Sequence, residues 1–456
     1  MRRGADTPWP AILAAGLVLA WPAAWNGYPL VFADTGTYLG QAILRYLGWD
    51  RPPHYSLFLR LVHWRVSLWP VPIVQGIITA HLLALLLRTS GRPGHLPLLL
   101  LTAFMAVATG LPWLVAQLMP DLFTGIVVLA SWLLGFRWAE LHRRERAYLV
   151  ILGTGAIAVH LTHLPLALGL VGVGAALAWI GRGRRAALDA ATRMAAPVGF
   201  AIVALIAVNA VAFGRFTASP HGSVFLAARL MEDGPAMRTL HARCADEAWR
   251  ICALLDQLPM HPNEFLWLPE KPLRNDLGGG RAWAPEAEAI VAATLAREPG
   301  TVALLALCNA AVQFTRLVTG DGLQAYRDEP GPEPLIRDYF PRELRAYQEA
   351  RQSRGLLLDD VARLQPLHVW LAAAGLLALP LVAWRRRRTL PQAALCVMAL
   401  AAAAGNAVVT GGLSGVNDRY QGRIAWLFVL VPAVVIATPR REPLLIRHPV
   451  EWRDMA

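Results

Sequence analysis

Apolar runs punctuated by arginines set the register of this chain. A membrane-crossing helix needs about 20 apolar residues, and fewer where the bilayer is thin. Runs of that kind lie near 9–25, 70–87, 96–118, 122–136, 149–163, 165–180, 196–213, 367–384, 390–412 and 424–438. They predict about ten spans. The first run lacks an A-x-A cleavage site before polar chain, so it reads as a retained span. Between the first two runs, Tyr38, Ala42 and Tyr46 recur at four-residue spacing, as do Leu39, Ile43 and Leu47. That periodicity predicts an amphipathic helix along the membrane surface. A further apolar stretch, TVALLALCNAAVQF from Thr301 to Phe314, is only fourteen residues long. It falls short of a span and predicts a buried or interfacial helix.

Composition agrees with the pattern. The chain of 456 residues is 56% hydrophobic and 16% charged, with a mean hydropathy of +0.41, more apolar than a soluble domain of that size. The expected class is an all-α polytopic membrane protein. Arginine carries nearly all the positive charge, Lys271 being the only lysine. Clusters stand at Arg2-Arg3, Arg88 with Arg92, Arg137 with Arg143, Arg144 and Arg146, Arg182 with Arg184 and Arg185, Arg385 to Arg388, and Arg440-Arg441. The positive-inside rule puts all of them in the cytoplasm, with an even number of crossings between neighbouring clusters. Residues 149–180 then cross out and back, turning at His160 to Pro165.

This parity divides the chain into an N-terminal membrane module, 1–213, with a first outside loop at 26–53, an outside domain at 214–366, and a C-terminal membrane module at 367–456. The outside domain holds 20 acids and 17 bases of the chain's 31 and 43, a net of −3 against +15 for the remainder. Cys244 and Cys252 lie within it, and an oxidising compartment outside a bacterial inner membrane favours a disulfide between them. Cys308 and Cys396 read as small buried hydrophobes. No phosphate-loop, dinucleotide or zinc spacing occurs, and nucleic acid is not among the expected partners. Membrane lipids are.

Asp34 opens the amphipathic helix of the first outside loop. A capping role is the simplest use for an acid there, although Thr35 and Thr37 offer the same service. Asp121, after Pro120 at the outer end between two runs, has the same two readings. His160 and His163, three apart, suit substrate or metal contact, and equally suit ordinary hydrogen bonding, since two histidines without a third ligand do not define a metal site.

The first loop also contains Arg51-Pro52-Pro53-His54-Tyr55, with Leu59 following, and the last outside turn reads GGLSGVNDRYQGR. An acid in a first outside loop, an interfacial helix, an Arg-Pro-Pro-x-Tyr-x-x-x-Leu segment and an Arg-Tyr loop before the terminal span together resemble membrane glycosyltransferases of the GT-C fold. Protein O-mannosyltransferases, aminoarabinose transferases and rhizobial galacturonosyltransferase-like proteins are members. The outside domain matches none of them. The resemblance implies a GT-C-like bundle with a mostly helical periplasmic domain. It also implies transfer of a sugar from a polyprenyl phosphate or diphosphate donor to a lipid, glycan or protein acceptor on the periplasmic side.

Such chemistry needs a carboxylate that accepts the acceptor's proton or holds a divalent metal ion, and cations that offset charge on the leaving phosphate. The resemblance makes Asp34 the general base and Asp121 a second carboxylate. Arg51, Arg419 and Arg423 are outside cations suited to phosphate oxygens. A headgroup contact, or a pair with Asp418, is the competing account of Arg423. His54, Tyr55, His160, His163 and Tyr420 are expected to line the substrate cavity. The rival functions are transport of a lipid-linked envelope substrate and a non-catalytic scaffold of the same fold. The expected spans hold few charges, unlike a transport path.

Overall fold

The computed structural model describes residues 8–326 and 331–439. Arg2-Arg3 and Arg440-Arg441 lie outside the described residues. Within them the protein is helical throughout, and its one extended pairing is an isolated bridge between Leu30 and Gln117. Six helices are long and apolar enough to cross a membrane: Pro70–Thr89, His163–Arg182, Arg184–Phe213, Leu357–Arg385, Leu390–Gly412 and Asp418–Ala437. Trp9–Leu19, His95–Ala108 and Leu122–Phe136 are shorter apolar helices, and Arg143–Ala158 packs among them.

Two of the expected runs are broken. The first stops at Leu19 and resumes as Trp21–Asn26, because Pro22 has no N–H for the helical ladder and its ring crowds the carbonyl four residues back. The run at 96–118 is helical only to Ala108, turns at Thr109 and Gly110, and re-forms a short helix at Leu111–Ala116 before ending in extended chain. Non-helical backbone at such depth survives only where protein satisfies it. Gln75 does so here, its Nε2 donating to the carbonyls of Val115 and Gln117 at 2.8 and 3.0 Å. Leu30 completes the work, donating to Ala116 at 3.0 Å and accepting from Leu118 at 2.8 Å.

The described arginine clusters gather at one end of the bundle. Arg92 donates to the carbonyl of Ala437 at 2.8 Å and Arg386 to that of Thr438 at 2.9 Å. Arg88 pairs with Glu145, and Trp132 donates to the carbonyl of Pro391 at 2.8 Å. Arg143–Ala158 and His163–Arg182 run from this end and back to it, with residues 159–162 as the turn at the opposite end.

The amphipathic helix of the first loop is Ala33–Leu44, ended by Arg45 in a left-handed conformation at φ 60°. Tyr38, Leu39, Ala42 and Ile43 are buried against His54–His63 and Glu333–Tyr339, while Tyr46 and Leu47 fall beyond the helix and are exposed.

Residues 214–366 contain two kinds of packing. Val224, Leu230, Phe265, Trp283 and Ile290 belong to a small core of their own, beside which Cys244 and Cys252 form the expected disulfide, with Cα atoms 5.5 Å apart. Farther on, the chain packs back on the first loop: Glu343 accepts a hydrogen bond from Tyr28 at 2.8 Å, and Gln352 both donates to and accepts from Val31. Helix Pro299–Phe314, bent 103° from Gly279–Arg297, is the stretch expected to be buried or interfacial. Ala310 and Gln313 are its buried residues, and Leu304, Leu307 and Val312 are exposed, which removes the buried alternative.

Candidate functional site

At the end of the bundle away from the arginine clusters, chain order is overridden by packing. Asp34 reaches the site because the loop before it is pinned. Asn26 holds Tyr28 and Gln352, and Thr35 accepts from the N–H of Phe32 at 2.9 Å while donating to the carbonyl of Leu118 at 3.1 Å. Thr35 therefore does the capping, and the carboxylate of Asp34 is free for other partners. Arg51 donates to it at 2.9 Å, and Arg419 stands 3.6 Å away. The side chains of Asp34, Arg51 and Arg419 are 17%, 15% and 10% exposed.

Asp121 lies behind this pair. It precedes Leu122–Phe136 but makes no cap bond. Its carboxylate is 1% exposed, 3.7 Å from Arg419 and 3.6 Å from Arg423, and neither oxygen has a hydrogen-bond partner. Arg419 thus bridges two carboxylates in a cluster of three guanidiniums and two acids. Arg423, fully buried, donates to Thr162 at 3.0 Å and Asn406 at 2.7 Å. The headgroup and Asp418 accounts of Arg423 both fall, since burial excludes the first and Asp418 pairs instead with Arg316 at 3.4 Å.

A cavity of about 1340 Å³ opens onto Asp34, Arg51, His160, Arg419 and Tyr420. The other cavity residues expected from sequence are elsewhere. Tyr55 is buried, donating to Gln75 at 3.0 Å. His163 is buried between Thr124 at 2.7 Å and the carbonyl of Ala156 at 2.6 Å. His54 does not line the cavity, and neither does Arg423. Tyr55, His163 and Arg423 share a physical reason: each sits on a helical face turned into the bundle, where its polar atoms meet protein or remain enclosed, while His54 is half-buried at the start of its helix.

Sequence reasoning missed Phe32, whose ring lies 4.3 Å from the Arg419 guanidinium, an arrangement that favours the cation. It also missed Asp321, which accepts from the backbone N–H of Arg419 at 2.8 Å. Asp321 arrives because Gly422 has no side chain to keep the carbonyl of Val318 away. Asn406 stands just before a π-helical turn, Val408–Gly412, a feature common at functional sites. None of these had a sequence signal that set it apart.

Burial alone raises the pKa of Asp34, but the guanidiniums of Arg51 and Arg419 outweigh it and hold the carboxyl below its ordinary range. Asp34 is therefore an anion at neutral pH. Burial pushes Asp50, also on the cavity wall, the other way. Burial and the Arg423 guanidinium keep His160 well below the usual imidazole value, hence neutral. Such a site can accept a hydroxyl proton at Asp34 and meet phosphate oxygens at Arg51 and Arg419.

A divalent ion does not fit. Each carboxylate already faces two arginines, and among the described residues no group of three His, Cys, Asp or Glu side chains is placed to hold a metal. No family model matches the chain, and neither a curated protein nor a solved structure matches it.

Proposed function

We propose that this protein is a GT-C-type membrane glycosyltransferase that moves a sugar from a polyprenyl-phosphate-linked donor to an acceptor on the periplasmic side of a bacterial inner membrane. The observation that carries this reading is Asp34, a carboxylate between two guanidiniums on the wall of a large cavity, at the end of the bundle farthest from the arginine clusters. By the positive-inside rule that end faces outward. The reading takes ten crossings, the six long helices and the four shorter ones at 9–26, 95–116, 122–136 and 143–158.

In the reaction the acceptor oxygen forms a bond to the sugar's anomeric carbon as the bond from that carbon to phosphate oxygen breaks. The acceptor's proton passes to Asp34, and the electron pair of the broken bond stays with the phosphate. Because Asp34 is a weak base, its first task is to orient the hydroxyl, and it takes the proton late, when bonding to carbon has made that proton acidic. Arg51 and Arg419 offset the charge that grows on phosphate, as donors held in place before the reaction begins.

Two experiments test this. Purified protein in detergent, given polyprenyl-phosphate-linked hexoses and pentoses with an envelope extract, is expected to release polyprenyl phosphate from at least one donor, and silence across the panel removes the assignment. Orientation is tested separately, in a Cys308→Ser background. Single cysteines replacing the exposed Leu47 or Arg345 are expected to react with a membrane-impermeant thiol reagent in intact cells, and those replacing Glu140 or Arg387 are not. Labelling at Arg387 from outside inverts the topology.

A further inference from the structure

The cavity has a second wall that the reaction above does not use. Trp49 from the first loop and Phe225 and Trp267 from the outside domain line it together. The Trp49 ring lies 5.5 Å from Phe225 at an interplanar angle of 26°, and 6.0 Å from Trp267 at 24°. Trp49 is admitted because Gly280 has no side chain, and a Cβ there would collide with the indole. Trp49 thus lies near-parallel to each of the other two rings, which are tilted 49° to one another with centres 6.0 Å apart, and together the three make an aromatic shelf partly open to the cavity. Arg51 joins the shelf to the reacting carboxylate, its guanidinium 5.2 Å from the Trp267 ring centre while it donates to Asp34 at 2.9 Å. Around the shelf stand Glu232, His261, Asn263 and Arg274.

We infer that the acceptor is a glycan chain whose sugar rings rest on this shelf and present a hydroxyl past Arg51 to Asp34. The inference rests on the glycosyl-transfer reading and adds the acceptor class. A pyranose ring has an apolar face of C–H groups and an edge of hydroxyls. Flat aromatic surfaces match the first, with a low entropic cost of ordering because an indole has two rotatable bonds. Carboxylate, amide and guanidinium groups match the second. An isoprenoid tail finds its aliphatic lining elsewhere in the same cavity, at Leu161, Leu164, Pro165, Val409 and Leu413 beside the ends of the spans. The volume of about 1340 Å³ exceeds the roughly 300–1,000 Å³ of ordinary small-molecule pockets, so acceptor and donor can occupy it together.

The test uses full-length protein in detergent and three uncharged probes, cellotetraose, chitotetraose and maltotetraose, with binding read by saturation-transfer NMR. At least one is expected to bind through its ring C–H protons. Trp267→Phe is expected to bind within about threefold of wild type, whereas Trp267→Leu, which keeps apolar bulk but has no flat face, should bind at least about tenfold more weakly in protein that thermal unfolding shows to be folded at the assay temperature. If the shelf only glues the outside domain to the first loop, Leu serves as well as Phe and saccharide binding is absent or equal in both, which overturns the inference. Failure of all three probes to bind wild type also overturns it. Donor release is measured in parallel on the same protein. Release without saccharide binding retires the shelf and leaves the transferase reading, whereas saccharide binding without release retires the transferase reading and leaves the shelf.

Discussion

Asp34→Asn should lower sugar transfer by about 100-fold or more while leaving the fold and donor binding intact. Asn is nearly isosteric and still accepts a hydrogen bond from Arg51, so the pinned loop that delivers residue 34 has no reason to move. What it cannot do is take a proton. Thr35, and not Asp34, caps the helix, so the cap loss of about 1 kcal/mol does not enter the comparison. The pH profile supplies a second readout. Since Arg51 and Arg419 hold the Asp34 carboxyl below its ordinary range, activity should persist at mildly acidic pH and fall only once the pH drops below the usual aspartate range. In Arg51→Gln that acid limb should move upward, because a charge that favoured the anion is gone. A stable Asp34→Asn protein with near-normal transfer would remove Asp34 from catalysis, and with it the principal support for an enzyme.

Asp121→Leu should destabilise the protein by about 3–5 kcal/mol, more than any other single change in the cluster. The substitution leaves Arg423, with no exposure, without its only nearby carboxylate among the described ion pairs, and leaves Arg419 with Asp34 alone at 3.6 Å. Arg423→Leu should cost less, because Arg419 remains beside Asp121 at 3.7 Å. The double variant should recover part of the loss relative to the sum of the two single changes, the signature of a coupled pair. Thermal unfolding in detergent of the two single variants and the double variant measures this. Strict additivity would mean that the two groups do not feel each other, contrary to a separation of 3.6 Å in a buried setting.

The long apolar helices were legible because burial in lipid demands long apolar runs, and the described arginine clusters gather at one end of them. Breaks inside those runs were harder to read. Gly110 and Pro112 were visible in the 96–118 run, yet hydropathy is blind to whether a backbone turn has partners, and the partners, Leu30 and Gln75, lie far away in sequence. Within the site, Arg51 and Arg419 could be named because cations away from the arginine clusters are rare, and Asp34 and Asp121 because the resemblance pointed to carboxylates there, residues alone having offered a cap as readily. Their order in depth could not. Asp121 and Arg423 form a buried inner layer, while Asp34 and Arg419 face the cavity, and that difference follows from helix rotation. Tyr55 and His163 carry the same kind of polar tip as Tyr420 and His160 but point into the bundle. The aromatic shelf joins residue 49 to residues 225 and 267, a pairing that no local pattern encodes.

The irregular stretch before Asp121 also says something about the order in which the bundle is made. The carbonyls of Val115, Ala116, Gln117 and Leu118 are met by Gln75, Leu30 and Thr35, and all three lie upstream. A ribosome emits these partners before the segment that needs them, so a nascent chain can thread the bend into a waiting polar cradle without exposing bare peptide groups to lipid. Gln352 closes over the same loop from the far side, and it can do so only after most of the chain has been synthesised. The end of the bundle that holds Asp34 is thus shaped early and locked late.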